Sequence, residues 1–116
     1  MAKTFFLVNP ASGNGATGKR WPELAHRAAR LGLTGETLFS ERPGHLMELA
    51  RQAVESGAEL VVAAGGDGTL NEVVNGVAGT GVDLATIPLG TGMDFVRTYG
   101  IPTKFDDAVR VALDGT

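Results

Sequence analysis

The chain has 116 residues, 43% hydrophobic and 20% charged, with a net charge of −3; that suffices for one compact domain with a core but not for two, and its interspersed acids and bases leave no basic footprint for nucleic acid. The absence of cysteine excludes a disulfide scaffold, a thiolate zinc site and a cysteine nucleophile, and fits a reducing cytoplasm. No apolar run approaches the roughly 20 residues that span a bilayer, and Phe5 to Val8 is too short for a signal peptide, so a soluble cytoplasmic domain is expected.

Apolar stretches of strand length alternate with segments of helical period, which points to an α/β fold with a parallel sheet. The first strand is Thr4 to Val8, followed by a Gly-rich loop from Asn9 to Gly18. The next helix carries Trp21, Leu24, Ala25 and Ala28 at the spacing of one buried face, and Gly32 is its natural stop. Leu33 to Phe39 reads as a second strand interrupted by Gly35. Pro43-Gly44 turns the chain into a helix that buries Leu46, Leu49, Ala50, Ala53 and Val54 and closes at Gly57. Glu59 to Ala64 is a continuous strand of the kind covered on both faces by helices. A third helix buries Leu70, Val73, Val74 and Val77; Leu84 to Ile87 is a fourth strand. A last helix opens with a capping box, Thr103 to Asp106, and buries Ala108, Val109, Ala112 and Leu113.

In an open parallel sheet the loops at the carboxyl ends of the strands share one rim, where ligands bind. Three such loops are rich in Gly, Ser, Thr and Asn: Asn9 to Gly15, Gly65 to Thr69, and Leu89 to Gly92. Glycine lets backbone N–H groups turn toward a phosphate, and helix N-termini favour anions. Tight turns alone would explain Gly32, Gly57 and Gly79, but not the hydroxyl and amide residues at the strand ends. Two familiar motifs nearly fit. Gly13-x-Gly15-x-x-Gly18, with Glu41 as the ribose acid, starts too far beyond the strand for a dinucleotide fingerprint. Gly13 to Lys19 approaches a P-loop, but Arg20 stands where the metal-binding hydroxyl belongs. Lys19, Arg20 and Arg42 read either as phosphate partners or as ordinary surface charge, and the isolated His26 and His45 do not make a metal pair.

Taken together, Asn9-Pro10-x-Ser12-Gly13, the run Gly65-Gly66-Asp67-Gly68-Thr69-x-Asn71-Glu72-Val73-Val74-Asn75-Gly76, and Pro88-x-Gly90-Thr91-Gly92-x-Asp94-Phe95-x-Arg97 resemble the catalytic domain of the diacylglycerol kinases. That family includes bacterial lipid kinases, sphingosine kinases and ceramide kinases; Glu41 to His45 looks like its second loop. The Gly-Gly-Asp-Gly-Thr element is shared with NAD kinases and phosphofructokinases, and the Asn71 to Gly76 continuation selects the lipid kinases. The resemblance implies a three-layer open parallel sheet with helices on both faces. It implies ATP and Mg²⁺ as cofactors, with Asn9, Ser12, Gly13, Gly66, Gly68, Thr69, Glu72, Thr91 and Gly92 at the nucleotide and Ser40 on its adenine or ribose side. Asp67 would be catalytic, binding Mg²⁺ directly or through water, or orienting the attacking hydroxyl. Asp94 and Arg97 would meet substrate or phosphate.

For Glu72, Asn71 and Asn75 a solvated helix face is the competing reading. Met93 departs from the family's asparagine, offering a weak thioether acceptor in place of an amide. Family members also carry a β-rich domain that closes over the lipid, and the chain ends at Thr116, about where it should begin. The expected protein is thus the ATP-binding domain of a kinase acting on a lipid hydroxyl, that of diacylglycerol, at a membrane reached through the second domain. A homodimer is left open. A small-molecule kinase of the NAD kinase or phosphofructokinase type, and a non-catalytic nucleotide-binding module, are the alternatives. No segment reads as an amphipathic basic helix that would lie on a membrane.

Overall fold

A computed structural model describes residues 3–12 and 15–88. The elements run β1 (Thr4–Val8), α1 (Ala16–Arg30), β2 (Glu36–Phe39), α2 (His45–Glu55), β3 (Leu60–Gly65), α3 (Asp67–Val77) and β4 (Asp83–Pro88). The four strands form a parallel sheet in the order β2-β1-β3-β4. The expected α/β architecture, with helices on both faces, is present.

Side chains of the central strands alternate between two cores. Phe5 and Leu7 of β1, with Val61 and Ala63 of β3, pack with Leu46, Leu49, Ala50 and Ala53 of α2 and Leu70, Val73 and Val77 of α3. Phe6 and Val8, with Val62 and Ala64, pack on the other face with Trp21, Leu24 and Ala28 of α1 and with Leu33 and Ile87. Because the strand repeat is two residues, one uninterrupted apolar run supplies both layers. The Trp21 ring meets Phe6 edge-on at 5.3 Å, and its Nε1 donates to Thr37 Oγ1 at 3.0 Å, tying α1 to β2.

Three expectations change. The second strand covers only Glu36–Phe39. Leu33 is buried in the α1 layer as the residue after the helix stop: its N–H donates to Ala28 and that of Gly32 to Ala29, the hydrogen-bond pair of a Schellman turn. Second, Val74 is 39% exposed, not buried. The stripe of α3 facing the core passes through Leu70, Val73 and Val77, and Val74 falls about 100° off Val73. Third, Asp67, Gly68 and Thr69 form the first turn of α3 and not a loop, leaving Gly66 as the extended cap. The predicted loop Leu89 to Gly92 and the predicted helix from Thr103 lie outside the described residues.

Helices α2 and α3 cross closely. A Cβ placed on Gly76 would meet the Met47 carbonyl oxygen at 2.7 Å and the Ala50 side chain as well. The glycine in the expected motif is therefore required by helix packing.

Candidate functional site

The chain leaves β1 toward β2 but leaves β3 toward β4, so the two central strands flank a topological switch point, where ligands bind in open α/β sheets. Backbone hydrogen bonds tie the strand ends together: the Asn9 N–H, just past β1, donates to the Ala64 carbonyl of β3 at 3.3 Å, and the Ser40 N–H, just past β2, donates to the Val8 carbonyl of β1 at 2.9 Å. The ends of β1, β2 and β3 thus form one rim.

The loop after β1 is built largely from its own polar groups. Asn9 Oδ1 accepts from the Ala11 N–H at 3.0 Å, the Asx turn that asparagine favours. Ser12 Oγ donates to the Asn9 carbonyl at 2.9 Å and shares a 2.6 Å hydrogen bond with the buried Thr17 hydroxyl. Gly18 packs so tightly on Pro10 that a Cβ would sit 2.9 Å from the proline ring. These contacts account for the near-fingerprint spacing: Gly18 serves loop packing. Ser12 spends its hydroxyl inside the loop, and Asn9 uses its side-chain oxygen there.

A cavity of about 390 Å³ opens between the loops after β1 and β2, lined by Asn9, Ser40, Glu41, Arg42, Leu46 and Glu72 among others. Three residues expected at a nucleotide, Asn9, Ser40 and Glu72, are therefore brought together from β1, β2 and α3. Glu72 is the decisive member. Its Oε1 is buried with no hydrogen-bond partner among the described residues, so the solvated-face reading fails for Glu72, while Asn71 and Asn75 are exposed as that reading requires. A buried acceptor left unmatched costs about 1–3 kcal/mol, a cost that a hydroxyl or amide donor in the cavity would relieve.

The charges of the cavity limit what it can hold. Glu41 and Glu72 stand against Arg42, which is already paired with Glu48 of α2 at 2.7 Å. An acidic chamber suits hydroxyl and amine donors and disfavours a run of phosphates. Asp67, with its Oδ1 buried, and the exposed Gly68 lie instead at the neighbouring β3 end, where backbone N–H groups open α3. Thr69 is 3% exposed and packs beneath Gly65, so its side chain shapes the turn. Gly13, Thr91, Gly92, Met93, Asp94 and Arg97 lie outside the described residues. Among the described residues no cluster of three or more acids and histidines could hold a metal by itself.

Leu46, which its helical spacing marks only as core, also forms a cavity wall, and Glu41 lines the same cavity from the segment Glu41 to His45 that resembles the family's second loop. The His45 ring Nδ1 accepts from the Glu41 N–H at 2.9 Å, which helps fix this loop.

The family model described as diacylglycerol kinase catalytic domain matches residues 3–116. The chain belongs to that family. A diacylglycerol kinase of Staphylococcus epidermidis is 37% identical over 94% of this chain and 35% of its own length; one of Staphylococcus haemolyticus is 36% identical over 93% and 33%. A crystal structure of a diacylglycerol kinase from Bacillus anthracis superposes with a TM-score of 0.80 at 28% identity, over 99% of this chain and 43% of that one. The chain thus spans about a third of the length of the curated relatives it matches. No described helix is long and apolar enough to cross a membrane.

Proposed function

We propose that the chain is the ATP-binding domain of a lipid kinase, working with Mg²⁺, that transfers the γ-phosphoryl group to a lipid hydroxyl, that of diacylglycerol, in phospholipid metabolism. The observation carrying this reading is the unmatched Glu72 Oε1 in a cavity at the carboxyl-end rim of the sheet of a diacylglycerol kinase-family domain. In this reading the nucleoside occupies the acidic cavity. Glu72 accepts from a ribose hydroxyl, the Asn9 amide nitrogen donates to the nucleoside, and Ser40 borders it. The phosphates then extend past Gly66 and Gly68 toward the start of α3, where N–H groups can meet them. Gly13, Thr91 and Gly92 complete that cradle, and Asp94 and Arg97 meet phosphate or substrate.

The donor set fits magnesium, which commonly takes one or two carboxylates and completes its shell with waters and phosphate oxygens. Asp67 would hold it, directly or through water, and the ion would neutralise charge on the phosphates. The lipid hydroxyl oxygen attacks the γ-phosphorus, the bond to the bridging oxygen breaks, and ADP leaves. Asp67 orients that hydroxyl or takes its proton; a carboxylate elsewhere in the whole enzyme is the other candidate for the base. Catalysis here is mainly positioning and charge neutralisation. The enzyme would be cytoplasmic and peripheral at the membrane, with the lipid held by a further domain.

Calorimetric titration with Mg·ATP tests the site. The wild-type chain is expected to bind, and Glu72→Gln to bind about tenfold more weakly or worse, the usual scale for a hydrogen bond to a charged group. Absence of binding, or equal affinity in the variant, would remove the nucleoside from this cavity. In the protein with its full length, Asp67→Ala is expected to abolish lipid phosphorylation; full turnover would refute its role.

A further inference from the structure

Glu72 owes its place to the glycine one turn after it. Gly76 packs α3 against Met47 and Ala50 of α2. Both helices start at the carboxyl-end rim of the sheet and run away from it. One turn nearer the rim, the same two faces therefore carry Glu72 and Leu46, and both line the cavity. Leu46 is buried and gives the cavity an apolar wall. Glu72 gives it a carboxylate whose Oε1 is buried without a partner among the described residues. The cation in the lining, Arg42, is held by Glu48, and Glu41 adds a second acid.

Occupants of this chamber are graded by what they offer the carboxylate. An ionised carboxylate accepts hydrogen bonds through both oxygens and donates none. The vicinal hydroxyls of a ribose present two donors at one place. A deoxy sugar presents one or none and leaves the acceptor desolvated and unmatched. A phosphate ester on the sugar sets anion against anion. A site built to bond a hydroxyl rejects the analogue lacking it, because its own buried group is then left unpaired. The apolar wall at Leu46 cannot make this distinction, since apolar contacts discriminate weakly for or against a single hydroxyl.

We infer that Glu72 is a specificity-determining residue that reads the free 2′,3′-diol of the nucleotide sugar, so that the site selects ribonucleotides over deoxyribonucleotides. This rests on the nucleotide-binding reading above and adds to it which sugar the cavity accepts. The selection is made by one side chain of α3, whereas the phosphates, which ribo- and deoxyribonucleotides share, are met at the start of that helix. Affinity for the triphosphate and discrimination between sugars are therefore separable.

Calorimetric titration of the whole chain with Mg·ATP and with its 2′-deoxy, 3′-deoxy and 2′,3′-dideoxy forms tests the inference without any need for turnover. Loss of either hydroxyl is expected to weaken binding roughly tenfold, and loss of both on the order of 100-fold. The 2′-fluoro-2′-deoxy form, which keeps a ribose-like pucker but has no donor there, should bind as weakly as the 2′-deoxy form. Glu72→Ala should level the series: Mg·ATP falls to the affinity of the dideoxy form, whose own binding is unchanged or tighter. Glu55→Gln, at the exposed far end of α2, should keep the full discrimination, and both variants should retain the wild-type circular dichroism spectrum. Equal affinity of the wild type for Mg·ATP and its dideoxy form, or discrimination that survives in Glu72→Ala, would overturn the inference and leave nucleotide binding in place. Failure of the wild type to bind Mg·ATP at all would strike the nucleotide reading itself, and the inference with it.

Discussion

The two sides of the sheet do different work with different side chains. On the α1 side, a tryptophan, a phenylalanine and branched aliphatics pack between one helix and the sheet. On the other side, alanines and a glycine let two helices approach each other closely, and the packing is aliphatic apart from Phe5. Only the second side reaches the cavity, through Leu46 and Glu72. Large side chains can anchor a layer while its outer surface varies freely, whereas a site built between two helices demands that their spacing be fixed. The contrast in charge follows the same division, with bases outside α1 and acids along α2 and α3.

Removing the anchor of the first layer should have the largest effect. Trp21→Ala deletes a side chain that is 2% exposed together with its bond to Thr37, and a loss of about 3–5 kcal/mol is expected by urea denaturation. A loss under 1 kcal/mol would mean that the layer does not depend on this ring. The second layer should respond to an added atom. Gly76→Ala forces a Cβ against the Met47 carbonyl, at a cost of about 1–3 kcal/mol for overpacking less about 1 kcal/mol of helix propensity. A rise in melting temperature would show that α2 and α3 have room between them. The smallest effect should be Glu72→Gln in the absence of nucleotide: removing a buried, unmatched charge is expected to leave stability unchanged or raise it by up to about 1 kcal/mol. The same variant should weaken nucleotide binding, and a stability loss comparable to that of Trp21→Ala would make Glu72 a structural residue.

Much of this could be read from residue order. The strands follow from runs such as Leu60 to Ala64, the helices from apolar spacing, and the stop after α1 from Gly32. Pro22 in the interior of α1 argues locally against a helix, since it removes a backbone donor; the buried Trp21 and Leu24 on either side of it keep the helix intact. The strand β2 begins later than its apolar pattern suggests because Leu33 belongs to the turn that closes α1, where its N–H bonds Ala28. At the site, the pattern of motifs named Asn9, Ser40 and Glu72 but could not place them around one cavity. Nor could it separate Glu72 from Asn71 and Asn75, which are all polar residues on one helix.

Residue order alone reveals the type and order of the elements, the alternation that feeds two cores, and the strand-end positions of the polar loops, because these depend on neighbours within a few residues. That β1 and β3 flank the switch point and that Glu72 Oε1 is buried without a partner among the described residues follow from the packed fold alone. Those properties depend on which distant segments pack together, and they arise from the direction each crossover takes over the sheet.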